Sequence, residues 1–149
     1  MKVLAINNGR DRTAYTWIVG IKNQWNSESG FFTGNIAQRI KEFCELFEPD
    51  EVIIQRPATG LDKKTRKAVQ EGFSRNLAAV SGFKIRPEIR DVMKVRRALG
   101  CYQREQARKD FWDPWWDYAR TASPREQMQM ANTYALAYDS VKAAETDMS

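Results

Sequence analysis

The sequence predicts an α/β domain, on three observations. Residues 2–7 form an apolar run, Lys2-Val3-Leu4-Ala5-Ile6-Asn7, that stops at the turn signal Asn8-Gly9. The apolar period becomes helical between Ile36 and Phe47, and a second apolar run, Val52-Ile53-Ile54, follows at once. Strand, hairpin, helix and strand in this order place the first and the returning strand parallel and side by side. Asn7 then stands at the carboxyl end of a central strand, where α/β sheets present functional side chains.

Each element has its own signal. Thr13 to Ile21 is rich in β-branched and aromatic residues and returns as the second strand of a hairpin. Asn23 to Ser29 carry turn chemistry around Trp25, and Gly30-Phe31-Phe32-Thr33 is read as a short third strand. The first helix buries Ile36, Ile40, Phe43, Cys44 and Phe47, is capped by Thr33 or Asn35, and ends at Pro49. After the strand Glu51–Gln55 and the stop Arg56-Pro57, a helix is expected from about Asp62 to Ser81. A short strand is expected at Lys84-Ile85-Arg86, then a helix over Glu88–Leu99 stopped by Gly100, and another near Gln103–Phe111. The last helix starts at the cap Ser123, with Pro124 and Glu126 inside its first turn, and runs to about Ala144. Residues 1–144 make one domain, and 145–149 are expected to fray.

Composition removes several function classes. The 149 residues hold no histidine, which excludes imidazole bases, Ser-His and Cys-His nucleophiles and His-ligated metals. Cys44 and Cys101 lack the spacing of a thiolate zinc site or a disulfide framework. There is no run of 18 apolar residues and no signal peptide at the start, so no membrane is expected and the reading is cytoplasmic. A net charge of +5 and a pI near 9.3 point towards a polyanionic partner.

Several segments together resemble the RuvC-type Holliday junction resolvases of the RNase H-like superfamily. The strand Leu4-Ala5-Ile6-Asn7-Asn8-Gly9 is similar to that family's opening strand, with aspartate expected where Asn7 stands and proline where Asn8 does. Phe47 to Pro57 resembles its helix-to-strand passage, with glutamate expected at Gln55, and Gln129 to Tyr138 resembles its closing helix, with acids expected at Gln129 and Asn132. Pro87 to Val92, Arg96, Leu99, Gly100 and Arg104-Glu105-Gln106 resemble the segment between. The resemblance implies an RNase H-like mixed sheet of about five strands with flanking helices, and a homodimer paired through the second long helix. Ala68, Val69, Phe73 and Leu77 are then interface or core.

It also implies hydrolysis of a phosphodiester by two divalent ions such as Mg²⁺, held by four carboxylates. Here the four positions are amides: Asn7, Gln55, Gln129 and Asn132. An amide oxygen carries no charge and bridges metals poorly, so no metal or other cofactor is expected. Asp11, Asp62, Glu71, Glu126 and Asp139 are the acids available for a displaced site. The sequence thus reads as a degenerate resolvase that binds branched or distorted DNA without cleaving it. The alternatives are an active junction endonuclease with displaced ligands, serving DNA recombination and repair, and a protein-interaction module that kept the fold.

Two basic clusters are the expected DNA contacts. One is Lys63, Lys64, Arg66 and Lys67 at the start of the second long helix. The other lies between Lys84 and Lys109, where nine basic residues face three acids, and includes Arg90, Lys94, Arg96, Arg97, Arg104 and Arg108. Trp112, Trp115 and Trp116 are read as core or a lid on it; exposed, they offer stacking platforms or a surface for a protein partner.

Overall fold

The structure, a computed structural model, describes residues 1–21, 24–83, 85–101, 106 and 123–148, the last four by their backbone. A five-stranded mixed sheet has the order β3-β2-β1-β4-β5, with β1 at Lys2–Asn8, β2 at Thr13–Ile21, β3 at Gln24–Phe32, β4 at Glu51–Gln55 and β5 at Glu88–Arg90. β1, β2 and β3 pair antiparallel, whereas β1 with β4 and β4 with β5 are parallel. The helices are α1 (Ile36–Phe47), α2 (Lys63–Val80), α3 (Val92–Ala98) and α4 (Pro124–Met148).

Alternation along β1 assigns its two faces. Val3 and Ala5 pack on the α4 side with Ile53, Ala131, Ala135 and Leu136. Leu4 and Ile6 pack on the α1 and α2 side with Ile40, Cys44, Ile54 and Val80. A strand buried on both faces must be apolar throughout, which is why residues 3–6 are a continuous run. Cys44 behaves as part of this core, and burial pushes its thiol up to about 11.

Local chemistry explains the helix ends. Asn35, one of the two candidate caps, accepts from the Gln38 N–H at 3.2 Å, and Glu48 closes α1 in the left-handed region at φ 49°. Asp62 caps α2 by accepting from the Thr65 N–H at 2.8 Å. Ser123 and Glu126 form a reciprocal capping box on α4.

Four expectations change. β3 extends over Gln24–Phe32, nine residues instead of four, because full pairing with β2 overrides the turn propensity of Asn26, Ser27 and Glu28 on an edge strand. The fifth strand is Glu88–Arg90; of the expected stretch, Ile85 and Arg86 are not strand and Lys84 lies outside the described residues, and the helix expected from Glu88 begins only at Val92. Pairing of Ile53, Ile54 and Gln55 holds 88–90 extended, and Asp91 then caps α3 through the Met93 N–H. The final helix, expected to end at about Ala144, continues to Met148 through Lys142-Ala143-Ala144-Glu145, good helix formers with no stop signal. The helix expected near 103–111 and the tryptophan segment with Trp112, Trp115 and Trp116 lie outside the described residues, apart from Gln106.

Arg90 is also reassigned. Its guanidinium donates to Asp139 at 3.2 Å, Ser140 at 3.0 Å and Glu51 at 3.2 Å, and it pairs with Glu88. These internal partners make it a clamp between β5, β4 and α4. Burial first, and then the neighbouring Glu88, hold the Glu51 carboxyl above its usual range. Arg90→Leu should therefore cost about 1–3 kcal/mol in chemical denaturation at neutral pH. The loss should shrink on acidification, as protonated carboxyls cease to need the cation.

Candidate functional site

β1 and β4 end side by side, and α2 and α4 close over their carboxyl ends. Both approaches depend on glycine. A Cβ at Gly9 would fall 2.8 Å from the Gln129 amide, and one at Gly72 would fall 2.1 Å from the Asn8 amide. Between these elements lies a cavity of about 790 Å³, and Asn7, Gln55, Gln129 and Asn132 all line it. Two strand ends and two turns of one helix thus bring together four residues spread across 125 positions of sequence.

The four amides have different duties. Asn7, only 4% exposed, donates through Nδ2 to the Gln129 carbonyl at 3.2 Å, while Gln129 donates through Nε2 to the Asn7 carbonyl at 3.1 Å and the Arg12 carbonyl at 2.9 Å. This reciprocal latch ties the end of β1 and its hairpin turn to α4. Thr133 donates to the same Gln129 carbonyl at 2.6 Å. Asn132 faces the buried Arg96, whose Nη1 lies 3.5 Å from Oδ1. Gln55 differs from the others: its Oε1 is buried with no hydrogen-bond partner among the described residues.

The next residue, Asn8, ties α2 to the sheet. It donates to the Val69 carbonyl at 3.4 Å and accepts from Thr13 at 2.9 Å and Arg75 at 3.2 Å. Around the rim stand Arg10, Arg12, Arg56 and Arg125. Arg12 is engaged twice, by Glu126 at 2.6 Å and by the Phe31 ring, whose centroid is 4.1 Å away. Arg56 and Arg125 are exposed and have no ion pair among the described residues. Sequence reasoning missed these rim arginines because it looked for runs of charge, and they come from three separate segments: the β1–β2 turn, the end of β4 and the first turn of α4.

The candidate acids do not converge as a ligand set. Asp11, Asp62 and Glu126 line the cavity. Hydrogen bonds from Thr65 hold Asp62 below the usual carboxylate range, and the Arg12 guanidinium, then the Ser123 N–H, do so for Glu126. Asp139 is paired with Arg90. Among the described residues there is no group of three or more acids or cysteines placed to hold a metal ion.

The expected DNA contacts divide. Lys63, Lys64, Arg66 and Lys67 are exposed on the first turns of α2, and Lys63, Arg66 and Lys67 line a shallow concavity on its outer side. Lys94 and Arg97 are exposed on α3. Arg96 is corrected: it is 2% exposed and donates to the Cys101 carbonyl at 3.2 Å, so it supports the cavity wall from inside. Arg104 and Arg108 lie outside the described residues. Val69 is buried, and Phe73 and Leu77 pack on the lower core, so much of that α2 face is used within the chain. No helix among the described residues is long and apolar enough to cross a membrane.

No protein-family model matches the sequence, and no curated protein matches it significantly. Solved structures do. Thermus thermophilus RuvC superposes with a TM-score of 0.68 at 16% identity, over 98% of this chain and 97% of that one. The same organism's RuvC in complex with Holliday junction substrate gives 0.65 at 15% identity, over 96% of each chain. The fowlpox virus resolvase in complex with Holliday junction DNA gives 0.54 at 11% identity, over 97% of this chain and 99% of that one. The chain therefore has the RuvC-type, RNase H-like fold over nearly its whole length.

The latch makes two substitutions informative. Gln129→Ala should lower stability by about 1–2 kcal/mol, since it leaves the Asn7 and Arg12 carbonyls without that donor. Asn7→Asp should cost about 1–3 kcal/mol near neutrality by setting a carboxylate against the Gln129 carbonyl. Thermal melts should show the second penalty fading at acid pH, where the protonated side chain donates again.

Proposed function

We propose that this RuvC-type domain binds branched DNA of the Holliday junction class and does not cleave it with metal ions. The observation that carries the reading is the cavity at the ends of β1 and β4, where the four positions expected to be acidic are neutral amides and the rim carries arginines beside Asp11, Asp62 and Glu126. Two dications beside a phosphodiester need hard, charged oxygens. Asn7 and Gln129 spend their amide N–H groups on backbone carbonyls, and the guanidinium of Arg96 sits against Asn132. A fixed cation beside the cavity repels a metal and attracts a phosphate. These residues do not fit a two-metal centre.

Phosphate binding has independent support in the row Lys63, Lys64, Arg66 and Lys67 at the start of α2, next to the cavity wall formed by Thr65 and Val69. Such contacts position a backbone without reading sequence. The two structures solved with Holliday junction DNA favour a branched duplex as the ligand, and a homodimer would present two such clefts to its arms.

A gel shift and a cleavage assay on one four-way junction test the proposal. Binding should occur in EDTA at low salt, and the junction should stay intact with Mg²⁺ or Mn²⁺. Replacing Lys63, Arg66 and Lys67 together by Gln should reduce the slope of log K against log salt by about 3, roughly one per lost phosphate contact. Metal-dependent cleavage by the unaltered protein would overturn the reading.

A further inference from the structure

We infer that α2 is a movable wall of the cleft: it opens from the sheet ahead of the rest of the fold, hinged near Val80, and Asn76 is the weakness that permits this. Asn76 lies in the middle of α2 and is completely buried. Neither its Oδ1 nor its Nδ2 has a hydrogen-bond partner among the described residues. Buried amides are ordinarily paired, and one with both groups unpaired destabilises the docked helix.

Little on the same face opposes that penalty. α2 turns Val69, Gly72, Asn76, Ala79 and Val80 inward. Gly72, Asn76 and Ala79 follow one another at helical spacing along the centre of this face, where they bury hardly any apolar side chain. Phe73 and Leu77 beside them are only half-buried. Of the large side chains that are fully buried, α2 supplies only Val80, at its C-terminal end. On the other side of the sheet, α4 supplies Met130, Leu136 and Val141, spread over three turns. One helix is thus anchored along its length and the other at one end.

Polar contacts hold the N-terminal half of α2 instead. Asn8 donates to the Val69 carbonyl at 3.4 Å, and the exposed Arg75 reaches Asn8 at 3.2 Å and Thr13 at 3.4 Å. These bonds are long, and water replaces such contacts at small net cost. The chain ahead of α2 has slack. Ala58, Thr59 and Gly60 are exposed, and Gly60 adopts φ 76° with no atom within 4 Å of the place a Cβ would take. Opening therefore takes Asp62, Thr65, Val69 and Phe73 out of the cavity wall and moves the basic first turns with them.

Hydrogen exchange of the full chain, resolved along the sequence and followed without DNA, tests this independently of the DNA-binding reading. A lone helix of this length is marginal in water, so its amides exchange once it detaches. In the unaltered protein the amides of residues 69–79 should be protected at least about a hundredfold less than those of residues 3–6 in β1. Asn76→Leu keeps the branching and puts methyl groups in place of the amide oxygen and nitrogen. It should raise the protection of α2 about tenfold, with a higher melting temperature. Equal protection of α2 and β1 in the unaltered protein overturns the opening. Protection that Asn76→Leu leaves unchanged or lowers, or failure of that variant to fold, overturns the role given to Asn76.

Discussion

Everything at the functional end of the molecule depends on how closely α2 and α4 approach the end of β1. Gly9 and Gly72 leave room for the amides of Gln129 and Asn8 at these contacts. Asn7 binds α4, while Asn8 binds α2 and the second strand. Neighbouring residues of a strand point to opposite faces, so two consecutive asparagines anchor one helix on each side of the sheet. A buried amide can do this because it both donates and accepts, whereas a carboxylate at the same place would face carbonyl oxygens.

The amides at this site serve structure. Carboxylates that bind metals must keep their oxygens free and tolerate mutual repulsion until cations arrive. Here Asn7 and Gln129 satisfy backbone groups instead. Charge of both signs surrounds the four amides, from Arg10, Arg12, Arg56 and Arg125 and from Asp11, Asp62 and Glu126, and the Arg96 guanidinium stands behind Asn132.

Charge counted along the chain was a poor guide to charge available at the surface. Between Lys84 and Lys109 the sequence holds a dense basic cluster, yet Arg90 is consumed by Glu51, Glu88 and Asp139, and Arg96 by the interior. The first turns of α2 kept their cations in solvent because their apolar partners, Val69, Phe73 and Leu77, lie on the opposite side of the helix. Periodicity separates the two cases only when a segment is a long helix. In the short β5–α3 segment a side chain's direction depends on which neighbours it meets.

The sequence by itself determined the α/β class, the central position of β1, the parallel pairing of β1 with β4, and the cap Ser123. These follow from apolar period and local hydrogen bonding, which act within a few residues. The four amide positions were legible too, but only by resemblance, since nothing in the spacing of Asn7, Gln55, Gln129 and Asn132 marks them as neighbours. Tertiary structure alone decided that they share one cavity, that two of them latch to each other, and that the buried oxygen of Gln55 has no partner among the described residues. It also decided the full length of β3 and the place of β5, where pairing with a neighbouring strand outweighs local propensity. The physical reason is the same in each case: a hydrogen bond between distant residues is written in neither of their local sequences, and appears only when packing brings them within reach.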